Sequence, residues 1–341
     1  MKPFIYTIAL LVFSTPLLQA QTRKFSYSEM KMGSAFNLII VSADSNKANH
    51  LARKSYELVD SLSHIFSNYD SSSELSKINA SAGLLPYKMS TAMLDLVQKS
   101  QYAYIQSKGA YDISIGPLSS LWRNARKAKL FPEASTVLAT KKLVGLNQVK
   151  INKRLGTIFL PNANMQLDFG GIAKGYIAQW VINFLKANGI QQALVDAGGD
   201  IVMSGPPLNQ QGWLIGVNLP ETTDDLLNKK LQLSNCSVAT SGDVYQFIEY
   251  KGVKYSHIIN PLTGYGVTNL RNVTIIAKTG ATADWLATAC SILPIQEAKQ
   301  LAISHQAALL ITTLKNGKLV FEATPSFKNY WQTTNIIQGK K

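Results

Sequence analysis

Residues 167–203 read LDFGGIAKGYIAQWVINFLKANGIQQALVDAGGDIVM. A short apolar stretch runs into the pair Gly170-Gly171, and residues 171–189 then read as a helix that Gly189 ends. Residues 191–203 read as a strand that enters a turn at Gly198-Gly199. The alternation of strand, helix and strand fits either a parallel or an antiparallel sheet, so the flanking sequence decides.

Upstream, residues 24–42 alternate apolar and polar side chains, as one or two strands do. Residues 44–67 carry Ala48, Leu51, Ala52, Tyr56, Leu58, Val59, Leu62, Ile65 and Phe66 at helical spacing. In residues 67–79, SNYDSSSELSKIN, Ser71 to Ser73 can cap a short helix through Ile78. Residues 91–107 form a further helix stopped by Gly109, and residues 145–170 read as strands with turns. Downstream, residues 212–218, 229–240 and 271–278 read as strands, and 245–260 as a hairpin turning at Lys251-Gly252. A helix over 281–293, another from Ile295 and two strands around Asn316-Gly317 close the chain. Strands come in runs with helices between them and no strict βαβ repeat. The expected class is therefore α+β, with largely antiparallel sheets and packed helices in a single catalytic domain.

The chain has 341 residues, 46% of them hydrophobic and 16% charged, enough apolar residue for a large core. That composition excludes collagen-like, low-complexity and disordered classes. Two cysteines and four histidines exclude a disulfide scaffold and a His-rich metal centre. Cys236 and Cys290 are the only candidates for a bridge, and buried free thiols are the alternative. The 34 basic residues against 20 acidic ones leave a net charge of +14, which favours anionic partners. The basic residues Arg123, Arg126, Lys127, Lys129, Lys141 and Lys142 are scattered without a nucleic-acid motif, so a solvated basic surface attracted to anionic membranes is the plainer reading.

At the N-terminus, Lys2 precedes an apolar run from Phe4 to Phe13, and Leu17-Leu18-Gln19-Ala20 ends on a small residue. This is the layout of a secretory signal peptide cleaved near Ala20. The run is shorter than the roughly 20 apolar residues that span a bilayer. No cysteine follows it, so a lipoprotein lipobox is missing. The expected product is exported and periplasmic, with one domain over residues 21–328 and a polar tail over 329–341.

Several segments join small and acidic residues. Gly170 and Gly171 before a helix let backbone N–H groups approach an anion, and Lys174 adds a point charge in the first turn. That suits a phosphate or pyrophosphate, although neither the P-loop nor the dinucleotide glycine pattern is present. Asp284 and Thr288 stand four apart, so one helix face carries a carboxylate and a hydroxyl, hard oxygen ligands that suit Mg²⁺. Asp243 precedes a lone His257 ahead of Asn260-Pro261-Leu262-Thr263-Gly264. A histidine in a mild environment titrates near about 6.5 and can move protons, or it can be purely structural.

Taken in order, these segments resemble the ApbE family of FAD:protein FMN transferases. The resemblance rests on Met32-Gly33-Ser34, SNYDSSSELSKIN, LDFGGIAKGY, ATSGD with HIINPLTG, and ADWLATA, and runs from about Lys31 to Leu293. It implies an exported enzyme that takes FAD and Mg²⁺. The FMN half would pass to a Thr or Ser hydroxyl of an acceptor protein, an expected membrane-linked electron-transfer subunit, with AMP leaving. Some relatives hydrolyse FAD to FMN and AMP instead. By resemblance, Met32, Tyr69, Ala110, Tyr111, Asp112, Asp168, Lys174 and Ile258 contact the flavin nucleotide. Gly171 through its carbonyl, Asp284 and Thr288 match the metal site, and His257 or Asp243 would deprotonate the acceptor hydroxyl. Ser34 stands where the family usually has Thr, and Asn260 where it usually has Asp. A flavin-storage protein without turnover is the competing class; it would keep Met32, Tyr69 and Asp112 without needing Asp284 and Thr288.

Overall fold

The structure is a computed structural model that describes residues 21–217, 227, 229–242, 246–315 and 318–332. The segment expected to be a signal peptide, Asp243, the Asn316-Gly317 turn and the end of the chain from 333 lie outside the described residues.

Eight strands build one sheet: β1 Arg23–Lys31, β2 Ser34–Ser42, β3 Ala193–Ala197, β4 Ile201–Met203, β5 Ser237–Ser241, β6 Arg271–Ala277, β7 Ala308–Lys315 and β8 Lys318–Ala323. Their order in space is their order in the chain, and every neighbouring pair is antiparallel. The α+β expectation holds. The segment quoted first is thus a helix that returns to an antiparallel meander rather than a parallel crossover.

Helices occupy the connections: α1 Ser45–Phe66, α2 Glu74–Ala80, α3 Thr91–Gln106, α4 Gly116–Ala128, α5 Ala134–Lys141, α6 Ala173–Ala187, α7 Gly280–Ile292 and α8 Ile295–Ser304. Asp44 caps α1, Ser73 caps α2, Ser90 caps α3 and Thr279 caps α7, each by accepting backbone N–H bonds. The apolar stripe of α1, from Ala48 through Val59 to Phe66, is buried against the sheet and α6. Both sheet faces are covered, so β6 is buried along its whole length. Its alternate residues Val273, Ile275 and Ala277 enter the core shared with the helices. Ile276 enters a second core on the other face, with Met203, Val238, Leu310 and Trp213.

Two helices were not legible beforehand. Helix α4 starts with Pro117 in its first turn and ends on Lys129 in the left-handed region, φ 54°. It buries Leu118, Trp122 and Ala125 in a third cluster with Val137 of α5 and Ile248 of the hairpin Phe247–Tyr250/Val253–Ser256. Trp122 Nε1 donates to Gly264 O at 2.8 Å, and Phe131 stacks on Tyr250 with ring centroids 4.1 Å apart. The chain also stays packed beyond Lys328. Phe327 is buried, Trp331 bridges to Leu231, and Gln332 N–H donates to Lys230 O at 2.8 Å.

Cys236 and Cys290 are both free thiols. Burial raises them to about 11 and about 12, which makes both poor nucleophiles.

Candidate active site

Helix α6 and helix α7 cross at two glycines. A Cβ on Gly175 would stand 2.2 Å from Gly280 O, and one on Gly280 would stand 2.0 Å from Gly175 O. This approach brings Asp284 Oδ2 within 3.0 Å of Gly175 N–H, which donates to it. Helix α6 has no side-chain cap of its own, so a carboxylate from the neighbouring helix satisfies part of its positive end. Farther along α7, Thr288 Oγ1 lies 2.7 Å from where a Cβ of Gly171 would be. Gly171, Asp284 and Thr288 therefore share one corner, with a carbonyl, a carboxylate and a hydroxyl to offer.

Asp284 is buried, and that burial raises its pKa to about 7, while Gly175 N–H and Lys174 pull the other way. Asp200 is held well above the usual carboxylate range by burial and by the charge of Asp284, against the pull of Lys174. It follows the Gly198-Gly199 turn, where both glycines have positive φ (69° and 98°), and its carbonyl accepts Ala197 N–H at 3.0 Å. A Cβ on Gly198 would fall 2.3 Å from Ser34 Oγ and 3.2 Å from Lys174 Nζ. The Met32-Gly33 turn, with φ of 52° and 76°, therefore meets the Gly198 turn beside Lys174. Among the described residues, no three His, Cys, Asp or Glu side chains form a metal-binding group.

Asp168 sits on the other side. Its Oδ1 accepts Gly170 N–H at 2.8 Å and its Oδ2 accepts Asn68 Nδ2 at 3.0 Å, with Arg123 NH2 3.8 Å away. Asn79 pairs with both backbone groups of Leu167, so the polar SNYDSSSELSKIN segment fixes the glycine turn. Asp168 N–H donates to Ile113 O at 2.7 Å, which docks the Ala110–Asp112 turn alongside. Ala110 and Tyr111 are buried, and the Tyr111 phenol lacks a hydrogen-bond partner. Burial first, then the nearby Asp284 charge, drives the Tyr111 pKa well up. Asp112 spends its carboxylate locally. Oδ1 accepts from Ser114 N–H and Oγ at 2.7 Å, and Oδ2 accepts Leu146 N–H at 3.1 Å. Tyr69 is 80% exposed, with one ring face covered by the Arg123 guanidinium 4.6 Å from its centroid.

His257 follows the hairpin, and its N–H donates to Gln246 O at 2.8 Å. The ring keeps access to solvent although protein packs around it. That packing, then Arg126 and Lys174, lowers its pKa to about 4, with solvent screening part of the effect. The environment of this histidine is thus not the mild one in which it would titrate near about 6.5. Ile258 is buried, its N–H donating to Ser256 Oγ at 3.0 Å. Asn260 Oδ1 accepts Leu262 N–H at 2.9 Å, a turn-forming role that an Asp would serve equally.

The structure thus brings Lys174, Gly171, Asp284 and Thr288 into one neighbourhood, with Asp168, Tyr69 and the Ala110–Asp112 turn beside it and His257 in reach of the Lys174 charge. Asp243 lies outside the described residues. Sequence reasoning missed Asn68 and Asn79 as anchors, Asp200 as the partner of Asp284, and Arg123 and Arg126. The DAGGD segment carried the signal for Asp200. The two arginines, read as part of a solvated surface, project from α4, whose helical character went unread.

Known proteins share this arrangement of elements. A flavin transferase ApbE from Vibrio cholerae superposes with a TM-score of 0.81 at 27% identity, covering 91% of this chain and 100% of its own. The ApbE protein of Thermotoga maritima gives a TM-score of 0.83 at 26% identity, with coverages of 91% and 100%. An FAD:protein FMN transferase of Klebsiella pneumoniae is 30% identical over 266 residues, 78% of this chain and 81% of that protein. One of Salmonella typhimurium is 27% identical over 304 residues, 88% and 87% of the two chains. The sequence profile of the ApbE family matches residues 32–311, from the Met32 turn to strand β7 and across every corner of the site, and the chain belongs to that family.

Proposed function

We propose that the chain is an Mg²⁺-dependent FAD:protein FMN transferase. It would pass FMN from FAD to a Thr or Ser hydroxyl of an acceptor protein and release AMP. The observation that carries this reading is the corner where Gly171, Asp284 and Thr288 meet beside Lys174. Phosphoryl transfer needs charge neutralisation and alignment more than covalent chemistry, and this corner supplies both.

The residues present fit Mg²⁺. They offer hard oxygen donors, and burial, outweighing Gly175 N–H and Lys174, holds the Asp284 pKa near about 7. Asp284, Thr288 and the Gly171 carbonyl would hold the ion, which when bound acts as a Lewis acid on phosphoryl oxygens. Lys174, at the positive end of α6, would orient the pyrophosphate and carry part of its charge. The free face of Tyr69 offers a stacking surface for a ring of the dinucleotide. His257, neutral at pH 7, would accept the proton of the acceptor hydroxyl. Asp243 is the alternative base. With its N-terminal export signal, the enzyme would work in the periplasm on a membrane-linked electron-transfer subunit.

Extraction of the native ligand followed by chromatography tests the substrate. FAD is the expected species, because a pyrophosphate site needs a pyrophosphate to recognise. A protein that retains riboflavin, and binds FAD no more tightly, contradicts the reading.

A further inference from the structure

Arg123 and Arg126 stand three apart on α4, so both project to one side of the helix while Trp122 and Ala125 enter its core. Arg123 lies over Tyr69 and comes only to 3.8 Å from Asp168 Oδ2. Arg126 is half-buried, and its NH1 is buried without a hydrogen-bond partner. Burial and then the charge of Arg123 lower the Arg126 pKa, and Arg126 in turn acts on His257 together with Lys174. The charges of Arg126 and Lys174 thus both bear on His257, while Arg123 stands one turn away over Tyr69. A buried guanidinium left unpaired is costly, and a multiply charged anion would relieve it. Arginine presents a planar fork that matches phosphate oxygens in pairs, which lysine cannot do.

We propose that Arg123 and Arg126 form a second anion subsite, beside Tyr69 and Asp168, that takes the phosphate oxygens of one half of the bound dinucleotide. This rests on the FAD reading above and extends it to residues that family resemblance did not assign. That phosphate could belong to the flavin half or the adenylate half, and the chemistry of recognition is the same for both.

Titration calorimetry with AMP, FMN, adenosine and riboflavin tests it on the wild type, Arg126→Gln, Arg126→Lys and Arg123→Gln, with thermal melts as the folding control. Arg126→Gln should weaken AMP or FMN by about 10–100-fold, the usual worth of a charged hydrogen bond, and leave the matching nucleoside or riboflavin nearly unchanged. Whichever phosphate loses affinity names the half. Arg126→Lys should recover only part of the loss. Equal losses for phosphate and phosphate-free ligands would make the pair a packing element and overturn the proposal. So would unchanged AMP and FMN binding with a raised KM for the acceptor, which would point to an acidic acceptor segment. A wild type that binds AMP or FMN but not FAD would contradict the transferase reading while leaving the phosphate subsite standing.

Discussion

Gly175 donates its backbone N–H to Asp284 Oδ2 across the crossing of α6 and α7, at 3.0 Å, and Gly280 makes that distance attainable. The bond ties the N-terminal end of one helix to the carboxylate of the other. Gly280→Ala would place a methyl 2.0 Å from Gly175 O, and backbone cannot yield as a flexible side chain would. The expected cost is about 1–3 kcal/mol of stability, with transfer activity lost beyond what unfolding explains. Melting curves and a Mg²⁺ titration check this. An unshifted melt with wild-type Mg²⁺ dependence would mean that the crossing does not position Asp284.

The raised Asp284 pKa gives a signed pH dependence. The folded value, about 7, exceeds the unfolded one of about 3.9, so the native state keeps a proton that the unfolded chain has lost. Stability of the metal-free protein should fall as pH rises from about 4 to about 7, and level off above. Asp200 shifts in the same direction. Mg²⁺ takes the ionised carboxylate, so its affinity should climb across that window and offset the loss. Asp284→Asn should flatten both trends in thermal melts run with and without Mg²⁺. Parallel slopes for variant and wild type would contradict the assignment.

Asp284→Ala should abolish transfer by orders of magnitude while the fold survives. Thr279 caps α7, so that helix keeps its cap, while α6 loses only the acceptor of Gly175 N–H. The metal-free melt should fall only by what a lost helix cap costs, about 0.5–2 kcal/mol, and added Mg²⁺ should no longer raise it. AMP release at the wild-type rate would rule out the metal role.

How much of this was legible beforehand follows the physics of each segment. The helix stripe from Ala48 to Phe66 and the positive-φ turns at Gly198-Gly199 and Lys251-Gly252 are local signals, and they were read directly. The corner of Gly171, Asp284 and Thr288 joins residues more than a hundred positions apart, so only the spacing of Asp284 and Thr288 could be read. Helix α4 goes unassigned in the sequence, and its arginines read there as a solvated surface, although Pro117 marks its first turn. Burial lowers the His257 pKa most, and without α4 the added charge of Arg126 could not be foreseen.

His257 separates transfer from hydrolysis. His257→Asn should slow transfer about 10²–10⁴-fold, the usual worth of a general base, with FAD affinity little changed. Lys174→Ala should slow transfer and FAD hydrolysis alike, since both use the pyrophosphate. The depressed pKa places the inflection from this residue well below about 6.5, so transfer should be flat with pH between about 6 and 8 as far as His257 is concerned. Equal loss of FAD affinity and transfer in His257→Asn would make it a cofactor contact, and Asp243→Asn would then be the variant that loses only the chemical step.

The most direct measurement is intact-mass spectrometry of a candidate acceptor domain after incubation with the mature protein, FAD and Mg²⁺, with AMP followed in parallel. The account predicts an acceptor heavier by FMN minus water, on a Thr or Ser, with one AMP released for each modification and neither product formed without Mg²⁺. An acceptor of unchanged mass while FMN and AMP accumulate would contradict it and make the protein an FAD pyrophosphatase.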